Sequence, residues 1–291
     1  MREQLEMFDI EPTIQGRDKV VNVASVPQRS PFRYPGGKTW LIPMIRKWLY
    51  QNNHQVDYLI EPFAGGGIVS LTAAFENFAS SILMVEKDEE IAAVWEIILK
   101  GKNEWLANKI YNFELTHENV KAEFEKTKKQ IQDIAFCTIL KNRICHGGII
   151  AKGSGLIKKG ENGKGILSRW YPKTLRDRIL AINHIKHKIQ FLQGDAFDIL
   201  EEYKNNSSAF FFIDPPYTVA GKRLYTYHEI DHERLFNLTS KLKGHYLLTY
   251  DDTTEIRKLA DKNHLKYKTT LMKTTHHLEK RELLISDNLE W

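Results

Sequence analysis

Ala209-Phe210-Phe211-Phe212-Ile213-Asp214-Pro215-Pro216-Tyr217 decides how this chain is read. The short apolar run reads as a buried strand. Two consecutive prolines cannot continue a hydrogen-bonded ladder, because neither has an N–H. The chain must therefore leave the sheet, with a carboxylate and an aromatic ring at the strand's carboxyl edge. Open α/β sheets bind ligands at that edge. An acid, a backbone carbonyl held rigid by proline and a flat ring suit the handling of a planar amine.

Working outward, short strands alternate with helices. Strands are expected at Tyr58–Glu61, Ile82–Glu86, Ile189–Gln193, Phe210–Ile213 and Tyr246–Thr249. Helices are expected at Thr39–Gln51, Ile68–Glu76, Glu89–Leu99, Ala196–Tyr203, His232–Leu242 and Thr254–Lys262. This βαβα rhythm predicts an α/β fold, a parallel sheet covered by helices. Lys266–Met272 and Glu282–Ser286 are expected to close the sheet as an antiparallel pair. The rhythm breaks over residues 96–187. Asn103–Tyr111, His117–Leu140 and Pro172–Ile185 look helical with no strand between them. Cys145–Leu167 holds seven glycines and reads as a long loop or a glycine-punctuated hairpin. The expected organisation is a flexible leader at 1–30, a main domain at 31–95 and 188–291, and an insertion at 96–187.

Three other constellations sit at strand ends. Glu61-Pro62-Phe63-Ala64-Gly65-Gly66-Gly67 follows a strand and precedes a helix, so its glycines let backbone approach a ligand closely. It is neither a phosphate-binding loop nor a nicotinamide fingerprint. Phe32 stands where the glycine before Gly37-Lys38-Thr39 should be, and the third Gly or Ala after Gly65 and Gly67 is missing. Glu86 ends the next strand, where an acid can accept from both hydroxyls of a ribose. Asp88 competes for that role. Asp195 follows Gly194 and could accept from an adenine amino group, or simply cap a helix.

With 291 residues the chain can bury a large core. No apolar run could span a bilayer, and the N-terminus has no secretory h-region. Cys137 and Cys145 make no disulfide framework, and with His146 they match no metal spacing. A cytoplasmic protein with reduced thiols and no membrane partner is expected. The net charge is +5, but between Lys141 and Arg178 stand ten Lys/Arg and two acids. A basic stretch on a mildly acidic body suggests docking to a polyanion.

The ordered set Phe32-Arg33-Tyr34-Pro35-Gly36-Gly37-Lys38, Glu61–Gly67, Glu86, Asp195 and Asp214-Pro215-Pro216-Tyr217 resembles the Dam-like, D12-class (alpha-group) adenine-N6 DNA methyltransferases. Asn142-Arg143, Gly147-Gly148, Ser168-Arg169-Trp170 and Thr249-Tyr250-Asp251-Asp252 extend the resemblance over nearly all of residues 31–291. It implies a Rossmann-like methyltransferase sheet and S-adenosylmethionine as cofactor. Tyr34, Gly37 and Lys38 would hold its methionine end. Glu61, Phe63, Ala64, Gly65 and Gly67 would line the pocket, Glu86 would take the ribose, and Asp195 with Ala196 the adenine. The insertion would be a target recognition domain, mainly helical with a hairpin. Asp214, Pro215, Pro216 and Tyr217 would be catalytic, acting without a metal on a base flipped from double-stranded DNA. Arg143, Lys152, Lys158, Arg169 and Trp170 are the DNA-binding candidates. The middle Gly66 departs from many members, which carry a larger residue there.

The leader holds Gln4-Leu5-Glu6-Met7-Phe8, which resembles the peptide by which bacterial proteins bind the replication sliding clamp. A cognate restriction enzyme is a further expected partner in a restriction-modification role. Cytosine-N4 methylation also fits Asp-Pro-Pro-Tyr, whereas protein-glutamine methyltransferases usually carry Asn at the first position. A DNA-binding module without catalysis is a third reading, opposed by the full set of filled motif positions.

Overall fold

The computed structural model describes residues 25–50, 56–127, 130–151, 153–217, 225–227, 229–273 and 279–291. Its strands are β1 (Val56–Glu61), β2 (Ala79–Glu86), β3 (Ile189–Gln193), β4 (Ala209–Ile213), β5 (His245–Asp251), β6 (Tyr267–Lys273) and β7 (Glu279–Ser286). Among the described residues they form one sheet in the order β3-β2-β1-β4-β5-β7-β6. β1 to β5 run parallel, and β7 lies antiparallel between β5 and β6. The expected strands and the closing antiparallel pair are thus present.

The strand order reverses between β1 and β4, so their carboxyl ends open a crevice at the centre of the sheet. The Glu61–Gly67 turn leaves β1 there, and Asp214 leaves β4 beside it. β4 is buried along its whole length, as a central parallel strand with both faces covered must be. Its side chains alternate between two cores. Phe210 and Phe212 join the cluster with Trp48 and Trp95, while Phe211 and Ile213 join the one with Phe236 and Tyr250.

The helices are α1 (Ile42–Leu49), α2 (Ile68–Phe75), α3 (Glu89–Leu99), α4 (Asn103–Asn112), α5 (His117–Glu125), α6 (Ile131–Ile144), α7 (Pro172–Ala181), α8 (Ala196–Tyr203), α9 (His232–Thr239) and α10 (Thr254–Lys262). Capping explains the sharpest starts. Asp88 accepts from Glu90 N at 2.9 Å to begin α3, Asp195 from Phe197 N at 2.9 Å to begin α8, and Thr253 from Ile256 N at 3.3 Å to begin α10.

Two expectations need correction, and one open between two forms resolves. His117–Leu140 is not one helix: α5 leaves helical geometry at Lys126 and α6 starts at Ile131. Of the two forms expected for Cys145–Leu167, the structure shows the long loop and not a regular hairpin. It holds a single isolated bridge, Cys145 to Leu156, and short 3₁₀ turns among its described residues. Finally, the leader does not extend to residue 30. Val26 is buried in the core, Arg29 pairs with Glu76 at 2.9 Å, and the Ser30 hydroxyl donates to Gly66 O.

A boundary at residue 96 would cut through α3. That helix packs against α6, and α4 packs against α7, so helices of the 96–187 segment share one hydrophobic cluster with the sheet. No helix among the described residues is long and apolar enough to cross a membrane.

Candidate active site

A cleft of about 630 Å³ lies at the crevice, and residues from the Phe32–Lys38, Glu61–Gly67, Glu86, Asp195 and Asp214–Tyr217 motifs line it. Tyr34, Gly37, Lys38, Glu61, Phe63, Ala64, Gly65, Gly67, Glu86, Asp195, Ala196, Asp214 and Pro216 all contribute. The sequence reading of the cofactor-side residues therefore converges on one cavity.

The glycine turn shapes its floor. Gly65 has φ +46, and a Cβ there would stand 2.6 Å from the Tyr34 ring. Only glycine lets backbone and ring approach this closely. Gly65 is held at both its polar groups: Trp95 Nε1 of α3 donates to Gly65 O at 2.8 Å, and Gly65 N donates to Glu86 at 2.8 Å.

Two carboxylates stand behind the turn. Glu61 accepts from Ser70 N at 3.0 Å and from the Ser70 hydroxyl, and burial pushes its carboxyl up to about 8. The Glu86 oxygens accept from Gly65 N and from Asp88 N, the latter at 2.9 Å, and burial pushes this group up to about 7. Each carboxylate oxygen can accept twice, so Glu86 retains capacity for ligand hydroxyls. Asp88, its competitor for a ribose, is engaged as the cap of α3.

The catalytic candidates form a second cluster. Lys38, only 3% exposed, places Nζ 2.9 Å from one Asp214 oxygen and 2.8 Å from the other. Thr249 Oγ1 donates to Asp214 Oδ1 at 2.7 Å. Burial draws the Lys38 ammonium down, but Asp214 and Glu282 outweigh it and hold the group above the ordinary lysine value. Tyr217 stacks on Tyr250 at 5.6 Å with planes 21° apart, and its hydroxyl donates to Glu282 at 3.1 Å. Pro215 is buried against the end of β4.

Tyr225–Tyr227 cross the cleft and tie its two ends together. Tyr225 stacks on Tyr34 at 5.7 Å and donates to Pro35 O at 2.7 Å, while Tyr227 donates to Glu89 at 2.9 Å. Asp195 caps α8 and pairs with Lys87 at 2.8 Å, so the capping reading and the cleft-lining reading both hold.

The DNA-binding candidates fare unevenly. Arg143 is 4% exposed and donates to Pro31 O, and Trp170 is 8% exposed and packs edge-on against Phe113. Both are interior residues, which corrects their assignment to a DNA surface. Arg169 is half-buried and paired with Glu161, while Lys158 is exposed. Lys152 and the Gln4–Phe8 peptide lie outside the described residues.

Sequence reasoning missed Glu282, Tyr225 and the role of Asn142. Asn142 Oδ1 accepts from Arg33 N at 2.8 Å, and its Nδ2 donates to Arg33 O at 3.1 Å and Gly148 O at 2.7 Å. This one side chain pairs with the extended backbone at Arg33 as a neighbouring strand would. Gly148, at φ +78, is needed because a Cβ would stand 2.2 Å from Arg33 O.

The chain is 25% identical over 244 residues to the type II methyltransferase M.CviBI of Paramecium bursaria Chlorella virus NC1A, covering 79% of this chain and 85% of that protein. Among solved structures it is similar to the N-terminal domain of human METTL16 in complex with SAH, with TM-score 0.42, 11% identity, and 87% of this chain and 70% of that one covered. It is also similar to the rRNA methyltransferase aviRa of Streptomyces viridochromogenes, with TM-score 0.37, 10% identity, and 85% and 84% covered. The family model for D12 class N6 adenine-specific DNA methyltransferases matches residues 34–274. The model spans the glycine turn, the Asp-Pro-Pro-Tyr corner and every strand to β6, and the chain belongs to that methyltransferase family.

Proposed function

We propose that this protein methylates adenine N6 at specific sites in double-stranded DNA, using S-adenosylmethionine and acting on a base rotated out of the helix. The observation that carries the reading is the placement of Asp214, fixed by Lys38 and Thr249, on the same cleft as the Gly65 turn and Glu86.

The residues present fit the cofactor. The glycine turn leaves bare backbone at the cleft floor, Glu86 retains acceptor capacity for ribose hydroxyls, and Asp195 lies where an amino group could be met. Tyr34, Gly37 and Lys38 would hold the amino-acid end. S-adenosylmethionine would supply a methyl carbon on a sulfonium, which becomes a neutral thioether once the methyl has left.

The protein's own contribution is orientation and charge. Asp214 would accept one N–H of the adenine amino group and the Pro215 carbonyl the other, turning the nitrogen lone pair out of ring conjugation. As the new C–N bond forms, positive charge grows on N6, and the fixed Asp214 carboxylate stabilises it. The surplus N6 proton then leaves past the same carboxylate to solvent. Lys38 and Thr249 prevent Asp214 from turning away, which contributes through positioning. A target base would extend the stack already made by Tyr217 and Tyr250. Extruding a base costs a few kcal/mol, and this stack offsets part of it.

The direct test is product identity. Unmethylated genomic DNA incubated with the protein and S-adenosylmethionine should yield N6-methyladenine on digestion and mass spectrometry. N4-methylcytosine instead would transfer the reading to cytosine, and no methylated base would defeat both. Mapping the methylated positions would define the recognised sequence, and the same DNA would show whether a restriction enzyme is blocked. Capture of the sliding clamp by wild type but not by Leu5→Ala/Phe8→Ala would establish the leader as its ligand; equal or absent capture would remove that partner.

Cofactor affinity should depend on pH through Glu86. Its ionised form accepts from two ribose hydroxyls, whereas the protonated form loses an acceptor. The group sits at about 7 in the free protein, so protonation dominates below that pH and affinity rises as pH increases through it. Titration with S-adenosylhomocysteine should give several-fold tighter binding at pH 8 than at pH 6. Glu86→Gln should bind more weakly and lose the part of the pH dependence centred near 7, so that only a slope from Glu61, which burial holds near 8, remains.

A further inference from the structure

Beyond the cofactor-side residues, the cleft is lined by Gln28, Arg33, Gly147, Gly148 and Arg178. Arg143 stands behind them, almost fully buried. These three arginines come from distant parts of the chain: Arg33 from the segment before α1, Arg143 from the last turn of α6 and Arg178 from α7.

Their charges lack counterions. None of the three is in an ion pair among the described residues. Arg143 donates to Pro31 O and Arg178 to Ser30 O, the latter at 3.2 Å. Carbonyl acceptors satisfy single N–H groups but leave the positive charge uncompensated. Arg33 Nη1 and Arg143 Nε are buried with no hydrogen-bond partner. Burial, then Arg178 and Arg33, pushes Arg143 down to about 9, and burial with Arg169 lowers Arg33. The acid that faces Arg33, Glu161, is itself paired with Arg169.

Uncompensated buried charge is expensive for a fold to hold. Two half-buried guanidiniums on one cavity wall, with the buried Arg143 behind them, suit an anion that arrives with the ligand. A guanidinium fork matches two phosphate oxygens in its own plane. We propose that Arg33 and Arg178, with the field of Arg143 behind them, seat a backbone phosphate of the bound DNA strand at the mouth of the cleft. The site rests on the DNA methyltransferase reading and adds to it where the strand is gripped. The exposed loop lysines are then a diffuse attraction, and the half-buried pair Arg33 and Arg178 is the fixed contact.

Two sources of anion must be separated, the DNA phosphate and the carboxylate of the cofactor. Binding of a labelled mixed-sequence duplex would be followed by anisotropy from about 50 to about 200 mM salt. Arg33→Gln and Arg178→Gln should each lower the slope of log affinity against log salt by about 0.9, the value for one phosphate contact. Arg33→Lys and Arg178→Lys keep the charge and should keep the slope. S-adenosylhomocysteine affinity should stay within about twofold in all four, since an effect of one phosphate contact belongs to DNA. Unchanged slopes in the Gln variants, or a loss of cofactor affinity instead, would overturn the proposal.

Should a Gln variant fold poorly, the wild type carries the test. Phenylglyoxal labelling of Arg33 and Arg178, read by peptide mass spectrometry, should be suppressed by the duplex and not by S-adenosylhomocysteine. Protection by the cofactor product alone, or by neither ligand, would also overturn it. A wild type that binds no DNA at any salt would defeat the functional reading itself. A wild type that binds and methylates while the variants keep its slope would defeat only the phosphate seat.

Discussion

Asp214→Asn should reduce the rate of methyl transfer by roughly 10³-fold, the scale seen when a fixed electrostatic contact to developing charge is removed. The substitution keeps the shape of the side chain, so the effect reports chemistry. The lost carboxylate can no longer oppose the charge growing on N6. The amide also puts an NH2 in place of one of the two oxygens that Lys38 Nζ meets at 2.9 and 2.8 Å, and two donors cannot satisfy each other. Glu282 still faces Lys38, so the buried ammonium keeps one anionic neighbour and the fold should survive. Single-turnover methylation should therefore collapse while S-adenosylhomocysteine binding stays within a few-fold of wild type. A variant that methylates at the wild-type rate would remove Asp214 from the mechanism. One that loses cofactor binding equally would make it a structural residue.

Gly65→Ala should strip the cleft of cofactor. The added Cβ would stand 2.6 Å from two atoms of the Tyr34 ring, and the φ of +46 is itself unfavourable for alanine by ~1–2 kcal/mol. Relief requires Tyr34 to move, which breaks its stack on Tyr225 and shifts the turn held by Trp95 and Glu86. Crowding of this kind costs a further ~1–3 kcal/mol. The expected outcome is a lower melting temperature together with a fall in S-adenosylhomocysteine affinity of roughly 10- to 100-fold, about 1.4–2.8 kcal/mol. Gly155→Ala is the control, because nothing lies within 4 Å of a Cβ there. Calorimetric titration showing wild-type affinity for Gly65→Ala would mean that the turn does not touch the cofactor.

Much of this architecture is legible before any coordinates, for physical reasons that differ by element. Glu89–Leu99, Ala196–Tyr203 and Thr254–Lys262 match the expected helices residue for residue. Each begins with a side chain whose oxygen caps its first turn, which is a local signal. The break after Glu125 was missed because no glycine or proline marks it. Arg143 and Trp170 were misplaced for a related reason. Arginine and tryptophan read as surface and contact residues until tertiary structure supplies Pro31 O for one and Phe113 for the other. Glu282 carries no motif. It reaches Tyr217 only because β7 enters the sheet next to β5, pairing Glu282 with Asp251. Long-range strand order of that kind leaves no trace in local spacing, whereas Asp-Pro-Pro-Tyr announces itself by what proline forbids.

The pairing of Asn142 with Arg33 has a consequence for how such enzymes could be rebuilt. One amide joins the last turn of α6 to the segment that carries Tyr34 and Lys38 into the cleft. A recognition module grafted from a relative would be silent unless its own helix delivered an equivalent amide in the same register, followed by a glycine able to lie against Arg33 O. Exchange of specificity is therefore less like changing a blade than like recutting a key, whose teeth and shaft come from one piece.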